Sequence, residues 1–339
     1  MVKKIENVNQ YFTKGNDLWL LNKNGELYFN SKLEETNVLV IGNYKDSHFL
    51  FISFENKNVI LNTLNQEVLK TGTITPQFIV AEDTFLALEY SSDYSQKRLI
   101  TYNIKNQKKD MLIERFEGSL SLFAEKKIFS ITENNILKCI DVDSLRGEHW
   151  EINLASFGKI RELLGIVNNL LWVTCYLKES LTKTYHTLLA LDVKTGEIIF
   201  SRNDMPYFHS SACVLNESNN TIISILRRFD QTFFLELDAL SGNIIREQQL
   251  TELEEKGFVF GGANNLTLYK DKLYMVVTAV KTIFGKTLAI LDLSDLSIPW
   301  ISKVTEGKAT ISRDPEVTDT HLYVLDTENT LHVFEKENM

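Results

Sequence analysis

Short, nearly continuous apolar runs recur along the chain: "FLFISF" (49–54), "TFLALEY" (84–90), "KIFSI" (127–131), "LLWVTCY" (170–176), "TIISIL" (221–226) and "KLYMVV" (272–277). They are rich in β-branched and aromatic residues and bounded by Asn, Asp, Lys or Gly, so they predict strands. Their apolar character is continuous instead of alternating, so both faces of each strand need cover, as in sheets stacked face to face around an axis. Helical periodicity is confined to "TELEEKGF" (251–258), which predicts one short helix.

Each run is followed by a hairpin, and the hairpins resemble one another. "LLALDVKTGEIIF" (188–200) has near-copies in "FFLELDALSGNII" from Phe233, "LAILDLSDLSIPW" from Leu288 and "ILKCIDVDSLRGEHW" from Ile136. Asp141, Asp192, Asp238, Asp292 and Asp326 each close an apolar run, and weaker relatives begin at Leu18, Val59 and Leu99, with Asn62 and Asn103 in the Asp position. An Asp or Asn at a strand end accepts hydrogen bonds from backbone N–H groups just ahead of it. A glycine closing the turn supplies a positive φ, the expected role of Gly25, Gly147, Gly196 and Gly242.

A third, weaker segment precedes each run: "QFIVAED" (77–83), "SLSLFAEKK" (119–127), "ELLGIVNN" (162–169) and "SACVLNES" (211–218). The repeating unit is therefore four strands in about 40 residues, the mark of a β-propeller blade. The fold class is all-β, a single β-propeller domain over residues 1–339. Eight blades are favoured over seven, with the N- and C-terminal strands sharing one blade to close the ring.

The hairpin resembles the repeat of PQQ-type, quinoprotein-like propellers, whose blades carry an A-x-D-x-x-T-G-x-x-x-W pattern. Ala190, Asp192, Thr195 and Gly196 match it, with Phe200 in the Trp place; Asp238, Ser241 and Gly242 match in a second blade, and Ala289, Asp292 and Trp300 in a third. WD-repeat proteins are the neighbouring class. The resemblance implies a propeller whose family includes quinone-dependent dehydrogenases, which carry a vicinal cysteine pair, and non-catalytic scaffolds such as outer-membrane assembly lipoproteins. Here Cys139, Cys175 and Cys213 are scattered, so no cofactor is expected and the non-catalytic branch fits better.

The chain of 339 residues carries 36 Lys and Arg against 45 Asp and Glu, a net charge of −9, which disfavours nucleic acid as a partner. The N-terminal "MVKKIENVNQYF" has no apolar region of a signal peptide, although a removed leader would leave no trace, and no run is long enough to span a membrane. Three isolated cysteines beside apolar residues read as buried thiols, and the cytoplasm is the expected location. The six histidines share no metal-ligand spacing, so no metal is expected; Asp204 with His209 is the nearest approach to an acid–base pair.

Within each blade the third-to-fourth turns are tight, so elaboration falls on the opposite side. The long segments there are 90–98, 175–186, 226–233 and 278–287, with blade connectors at 203–211 and 310–316. They gather Tyr94, Arg98, Tyr176, Tyr185, Tyr207, Phe208, Arg227, Arg228, Phe229, Phe284 and Arg313, residue types that anchor protein interfaces. The expected function is a non-enzymatic scaffold binding another protein with an acidic patch, in a special case an inhibitor or immunity-type protein. The alternative is a small-molecule hydrolase or lyase with its site in the central channel. Carboxylates and histidines converging there would favour chemistry, and apolar closure would favour the scaffold.

Overall fold

A computed structural model of the chain describes residues 2–14, 17–30, 32–43, 49–54, 58–62, 67–71, 74–81, 83–91, 95–142, 148–180, 184–203, 205, 208–261, 266–280 and 285–336. The strands form eight antiparallel meanders, an eight-bladed all-β propeller. Two compact units divide it. One holds residues 156–339 with 1–8 and 13–16; the other holds 9–12 and 17–155.

Blade 1 runs through Val8–Lys14, whose two ends fall in the other unit, and through Asp17–Asn22, Leu27–Phe29 and Lys32–Glu35 in the N-terminal unit; blade 2 runs through Val38–Asn43, Phe49–Phe54, Asn58–Asn62 and Glu67–Lys70. Blade 3 comprises Ile74–Ala81, Thr84–Tyr90, Lys97–Asn103 and Lys108–Ile113. Blade 4 comprises Ser119–Ala124, Lys127–Ile131, Ile136–Asp141 and Glu148–Asn153. Trp19, Leu21, Leu27, Leu50 and Ile52 fill the space between the first two blades, and Phe78 stacks on Phe123 between the last two, 6.0 Å between ring centroids.

In the C-terminal unit, blade 5 is Lys159–Val167, Leu170–Lys178, Thr184–Asp192 and Ile198–Arg202; blade 6 is Cys213–Asn216, Thr221–Arg228, Gln231–Asp238 and Ile244–Gln249. Blade 7 has its first strand in two pieces, Phe258–Phe260 and Leu266–Tyr269, both paired with Lys272–Ala279, then Thr287–Asp292 and Trp300–Lys303. Blade 8 takes Glu316–Val317, His321–Leu325 and Leu331–Glu335 from the C-terminus and Val2–Ile5 from the N-terminus, in register from Val2 opposite Phe334 to Ile5 opposite Leu331. Sharing one blade between the chain ends leaves neither end as a lone edge. The short helix forms at Thr251–Glu255, in the connector between blades 6 and 7.

The continuous apolar runs are buried along most of their length, as in Lys272–Ala279, where only the two end residues are exposed. Both faces pack because each sheet meets a neighbour on either side. The repeat motif has a packing reason as well as a turn reason. Gly242 has φ +70°, and a Cβ placed there would fall 2.3 Å from the Phe200 ring of the preceding blade. The turn glycine and the aromatic of the pattern are thus two halves of one contact between blades. Trp172, 1 % exposed, adds a second tie: its Nε1 donates to the Ala239 carbonyl at 3.0 Å, and its ring meets Phe200 edge-on.

The turn chemistry holds at blades 5 to 7. Asp192 Oδ1 accepts from the Lys194 and Thr195 amides at 2.8 Å each, Asp238 Oδ1 from the Leu240 amide at 3.0 Å, and Asp292 Oδ1 from the Ser294 amide at 3.0 Å. These contacts hold the three carboxyls below the usual carboxylate range; for Asp192 the backbone bond to Thr195 leads, for Asp238 the Ser241 hydroxyl, and for Asp292 the Ser294 hydroxyl. Blade 7 lacks the glycine, and Leu296 takes the left-handed position at φ +62°. That conformation costs about 1–2 kcal/mol for a residue with a Cβ, which the burial of its side chain at 5 % exposure offsets.

The strands Asp17–Asn22 and His321–Leu325 are second strands of their blades, as the strand count requires, so not every tight Asx turn joins a third strand to a fourth. Asp326 closes the turn between the second and third strands of blade 8, not the third and fourth; its Oδ1 accepts from the Glu328 and Thr330 amides, and its Oδ2 meets His332 Nε2 at 2.9 Å, with both side chains buried. The Leu18 hairpin is likewise the second-to-third turn of blade 1, capped by Asn22 with Gly25 at φ +77°. The same Asx chemistry serves any tight turn, so the motif alone does not report the side of the blade. Gly147 lies outside the described residues.

Candidate protein-binding surface

In an up-and-down meander the second-to-third turns and the blade connectors share one side. The two units elaborate that side differently. Connectors of the N-terminal unit are short, spanning 36–37, 71–73 and 114–118, whereas those of the C-terminal unit span 203–212, 250–257 and 304–315.

The predicted residues divide into several groups. Arg227 and Arg228 are not in a long loop: Thr221–Arg228 and Gln231–Asp238 meet in a tight turn made by Phe229 and Asp230. Arg227 braces this turn, its Nε donating to the Phe229 carbonyl at 2.8 Å and its Nη2 to the Val280 carbonyl of blade 7 at 3.4 Å. Arg228 is exposed. Phe229, at φ +58°, is 87 % exposed, far more than any other large apolar residue described. The positive φ is what a two-residue turn between paired strands requires, and the ring it carries is left in solvent.

Phe208 is corrected. It is 2 % exposed and packs with Trp172, Leu188 and Leu235, so it is a core residue and offers nothing to a partner. Tyr176 and Tyr185 are half-buried strand residues; Tyr176 lies opposite His186. Arg313 stands beside Glu316, where its charge opposes the rise of that carboxyl. Arg98 is half-exposed in the N-terminal unit and reaches Glu89 at 3.9 Å. Tyr94, Tyr207 and Phe284, with Asp204, lie outside the described residues.

Each unit has a concavity on its connector side. In the N-terminal unit a cleft of about 880 Å³ is bounded by Tyr90, Lys97, Arg115, Phe116 and Glu133, with Lys97 Nζ 5.4 Å from the centre of the Phe116 ring. In the C-terminal unit a cavity of about 550 Å³ is walled by Phe258, Ala279 and Ile301 and rimmed by Lys256, Lys286 and Lys303. The sequence pass did not single out these lysines. They are scattered along the chain, and only the meeting of four strand ends and the helix connector assembles them.

The 203–212 connector is pinned by a buried polar knot. His186 Nδ1 lies 2.8 Å from Ser210 Oγ and accepts from the Ser210 amide at 3.3 Å, while the His186 and His209 rings lie 4.2 Å apart, tilted by 33°. Burial, reinforced by His209, lowers the His186 pKa to about 4; burial and then Arg161 lower that of His209. Both rings are therefore neutral near pH 7, as acceptors in this knot must be.

The first strands of the C-terminal unit are not closed by apolar side chains alone. Burial raises the Glu162 carboxyl, and Asp314 adds to the rise while Arg161 opposes it. Burial lifts Asp314 to about 6 and Glu316 to about 7; Glu316 Oε2 accepts from the Thr13 amide at 3.0 Å and hydroxyl at 3.2 Å. Among the described residues no group of three or more His, Cys, Asp or Glu has the geometry to hold a metal ion. Cys139, Cys175 and Cys213 are free and buried; burial pushes the first two thiols up to about 12 and raises that of Cys213 well above the usual thiol range.

No family model matches the chain, and no curated protein matches it. Solved structures do. BamB from Moraxella catarrhalis is similar at 12 % identity and TM-score 0.56, covering 99 % of this chain and 98 % of that one. Sqt1 of Saccharomyces cerevisiae is similar at 11 % identity and TM-score 0.54, covering 97 % and 99 %. A chain of the mitotic checkpoint complex is similar at 11 % identity and TM-score 0.50, covering 88 % and 90 %. At these identities the likeness is one of fold. Among the described residues no helix is long and apolar enough to cross a membrane.

Proposed function

We propose that the protein is a non-enzymatic scaffold that binds another protein through the connector side of its C-terminal blades. The observation that carries this is Phe229, an aromatic 87 % exposed on a turn braced by Arg227. Large exposed aromatics beside arginines anchor protein interfaces. The fold likeness to a chain of the mitotic checkpoint complex, itself an assembly, supports the reading. Free buried thiols favour a reducing compartment such as the cytoplasm. The inhibitor or immunity form of the proposal adds only that the partner is an enzyme or toxin.

The test is affinity capture from the native organism's lysate with wild type and with Phe229→Ser combined with Arg228→Glu. The reading expects a stoichiometric partner that re-forms the complex when both proteins are purified, and its loss in the variant. A partner equally bound by the variant would move the interface off this turn.

The raised carboxyls of Glu162, Asp314 and Glu316 favour a second reading, acid–base chemistry on a small molecule at the first strands. It requires a hydrolase or lyase activity in small-molecule screening that Asp314→Asn abolishes while folding is retained. A screen in which wild type and variant behave alike removes it.

A further inference from the structure

We infer that the cavity of the C-terminal unit is the receptor for an acidic, extended segment of a protein partner that inserts one apolar side chain. This rests on the scaffold reading and names the chemistry of its partner. Phe258 and Ile301 are half-buried walls, with Ala279 at the mouth and Lys256, Lys286 and Lys303 around it. The depression, about 550 Å³ and open to solvent, lets a leucine- or phenylalanine-sized group lie against Phe258 and Ile301 with its backbone outside.

The charge around the cavity is opposite to that of the whole chain. Lys256 pairs with Glu252 at 2.6 Å and Lys303 with Glu306 at 2.7 Å, while Lys286 Nζ donates to the Gly307 carbonyl. Lys4 from blade 8 also acts on Glu306. The charged residues that line the site are thus three lysines, two of them paired with Glu252 and Glu306, on a chain of net charge −9. The lysine pairs are exposed, so they exchange readily for carboxylates of a partner. An acidic segment gains attraction here and is repelled by the surrounding acidic surface, which selects the site.

The lysines alone would serve a small anion, but the apolar floor of Phe258, Ala279 and Ile301 leaves a surface that an anion does not cover and an apolar side chain does. Lysine is a point-charge partner without the planar fork of arginine, which suits carboxylates spread along a flexible strand. The site is continuous with the Phe229 turn. Arg227 Nη2 donates to the carbonyl of Val280, the neighbour of Ala279 in the cavity mouth. An anchor in the cavity therefore places the rest of the partner against Arg228 and Phe229.

The test uses the purified full chain and fluorescence anisotropy. The probe is a labelled peptide of about twelve Asp and Glu residues with one central Phe. Controls replace Phe with Ser, replace the acids with Lys, or substitute single-stranded oligothymidylate. The expected result is binding of the acidic Phe peptide and roughly tenfold weaker binding of the Ser peptide. Lys286→Glu with Lys303→Glu should weaken binding by roughly tenfold or more at unchanged Tm, and so should raising NaCl from about 0.05 to 0.5 M. No binding to wild type, binding indifferent to Phe or to the two lysines, or equal binding of oligothymidylate each overturns the inference. If lysate capture still returns a partner lost with Phe229→Ser while the peptide result is negative, the scaffold reading stands and only this one falls. If capture also fails, both fall.

Discussion

Blades 5 and 6 of the C-terminal unit and blade 3 of the N-terminal unit build the same hairpin from unlike chemistry. In the C-terminal unit the third-to-fourth turns of blades 5 and 6 are closed by an ionised Asp and a left-handed glycine, and the next blade's glycine receives the aromatic of the last, as Gly242 receives Phe200. In the N-terminal unit the corresponding cap of blade 3 is the neutral Asn103, accepting from the Lys105 and Asn106 amides at 3.1 Å, with Gln107 left-handed in place of glycine. Connectors differ in the same sense, short in the first half and long in the second. The lesson is that strand burial specifies the blade, while turn chemistry is interchangeable. A unit with charge-assisted turns and locked aromatics can carry long, chemically varied connectors.

The largest effect expected concerns the tryptophans that lock each half. Trp172→Ala removes a fully buried ring and orphans the Ala239 carbonyl, and should cost about 4–5 kcal/mol. Trp19→Ala removes a ring stacked 4.5 Å from Phe29, and should cost nearer 3 kcal/mol. Urea unfolding of both variants compares them directly. A Trp19 variant as damaged as the Trp172 variant would show that the extra tie between blades 5 and 6 contributes nothing.

A pH effect of intermediate size belongs to the C-terminal unit. His186 titrates at about 4 in the folded protein against 6.5 for the free side chain, so the unfolded chain takes up the proton first. Stability therefore falls as pH drops from 6.5 to 4, then levels. Glu316 acts with the opposite sign: its folded value of about 7 lies above 4.5, so its contribution is full below 4.5 and is lost as pH rises through 7. Tm measured across pH 4 to 8 should show a shallower acid limb in His186→Gln, with His209 still acting in the same direction, and a shallower alkaline-going decline in Glu316→Gln, with Asp314 still acting in the same direction. A His186→Gln curve parallel to wild type would place the acid sensitivity on groups other than His186.

The smallest effect sharpens the turn comparison. Asp192→Asn turns a donor toward Asn169 Nδ2, which now donates to Asp192 Oδ2 at 2.8 Å, and weakens two amide contacts, costing about 1 kcal/mol. Asn103→Asp should be neutral or stabilising by a few tenths of a kcal/mol, because the Thr84 hydroxyl that now accepts from Asn103 at 3.0 Å can rotate and donate. Equal losses in the two swaps would mean that charge is irrelevant to these caps.

Much of the fold was legible in the chain. Runs such as "KLYMVV" and "LLWVTCY" had to be covered on both faces, and the spacing of the hairpins fixed four strands to the blade. The shared blade of Val2–Ile5 and Leu331–Glu335 followed from the two unmatched ends. Side assignment was less legible, since Asn22 and Asp326 cap second-to-third turns with the same Asx bonds that Asp192 uses on the other side. The candidate surface was legible only at Arg228 and Phe229. Phe208 has the same residue type in a similar connector and is core, because exposure is decided by the neighbouring blade and not by the local sequence.

The sequence by itself determined the strand periodicity, the tight Asp and Asn turns and hence the propeller, because these depend on burial and on hydrogen bonds a few residues apart. Only the tertiary structure decided which distant residues meet: Gly242 with Phe200, His186 with His209 and Ser210, Glu162 with Asp314, and Lys256, Lys286 and Lys303 around one apolar cavity of blade 7. Those meetings bring together residues far apart in the chain, and their energies arise from packing, desolvation and charge at short range, which no local pattern encodes.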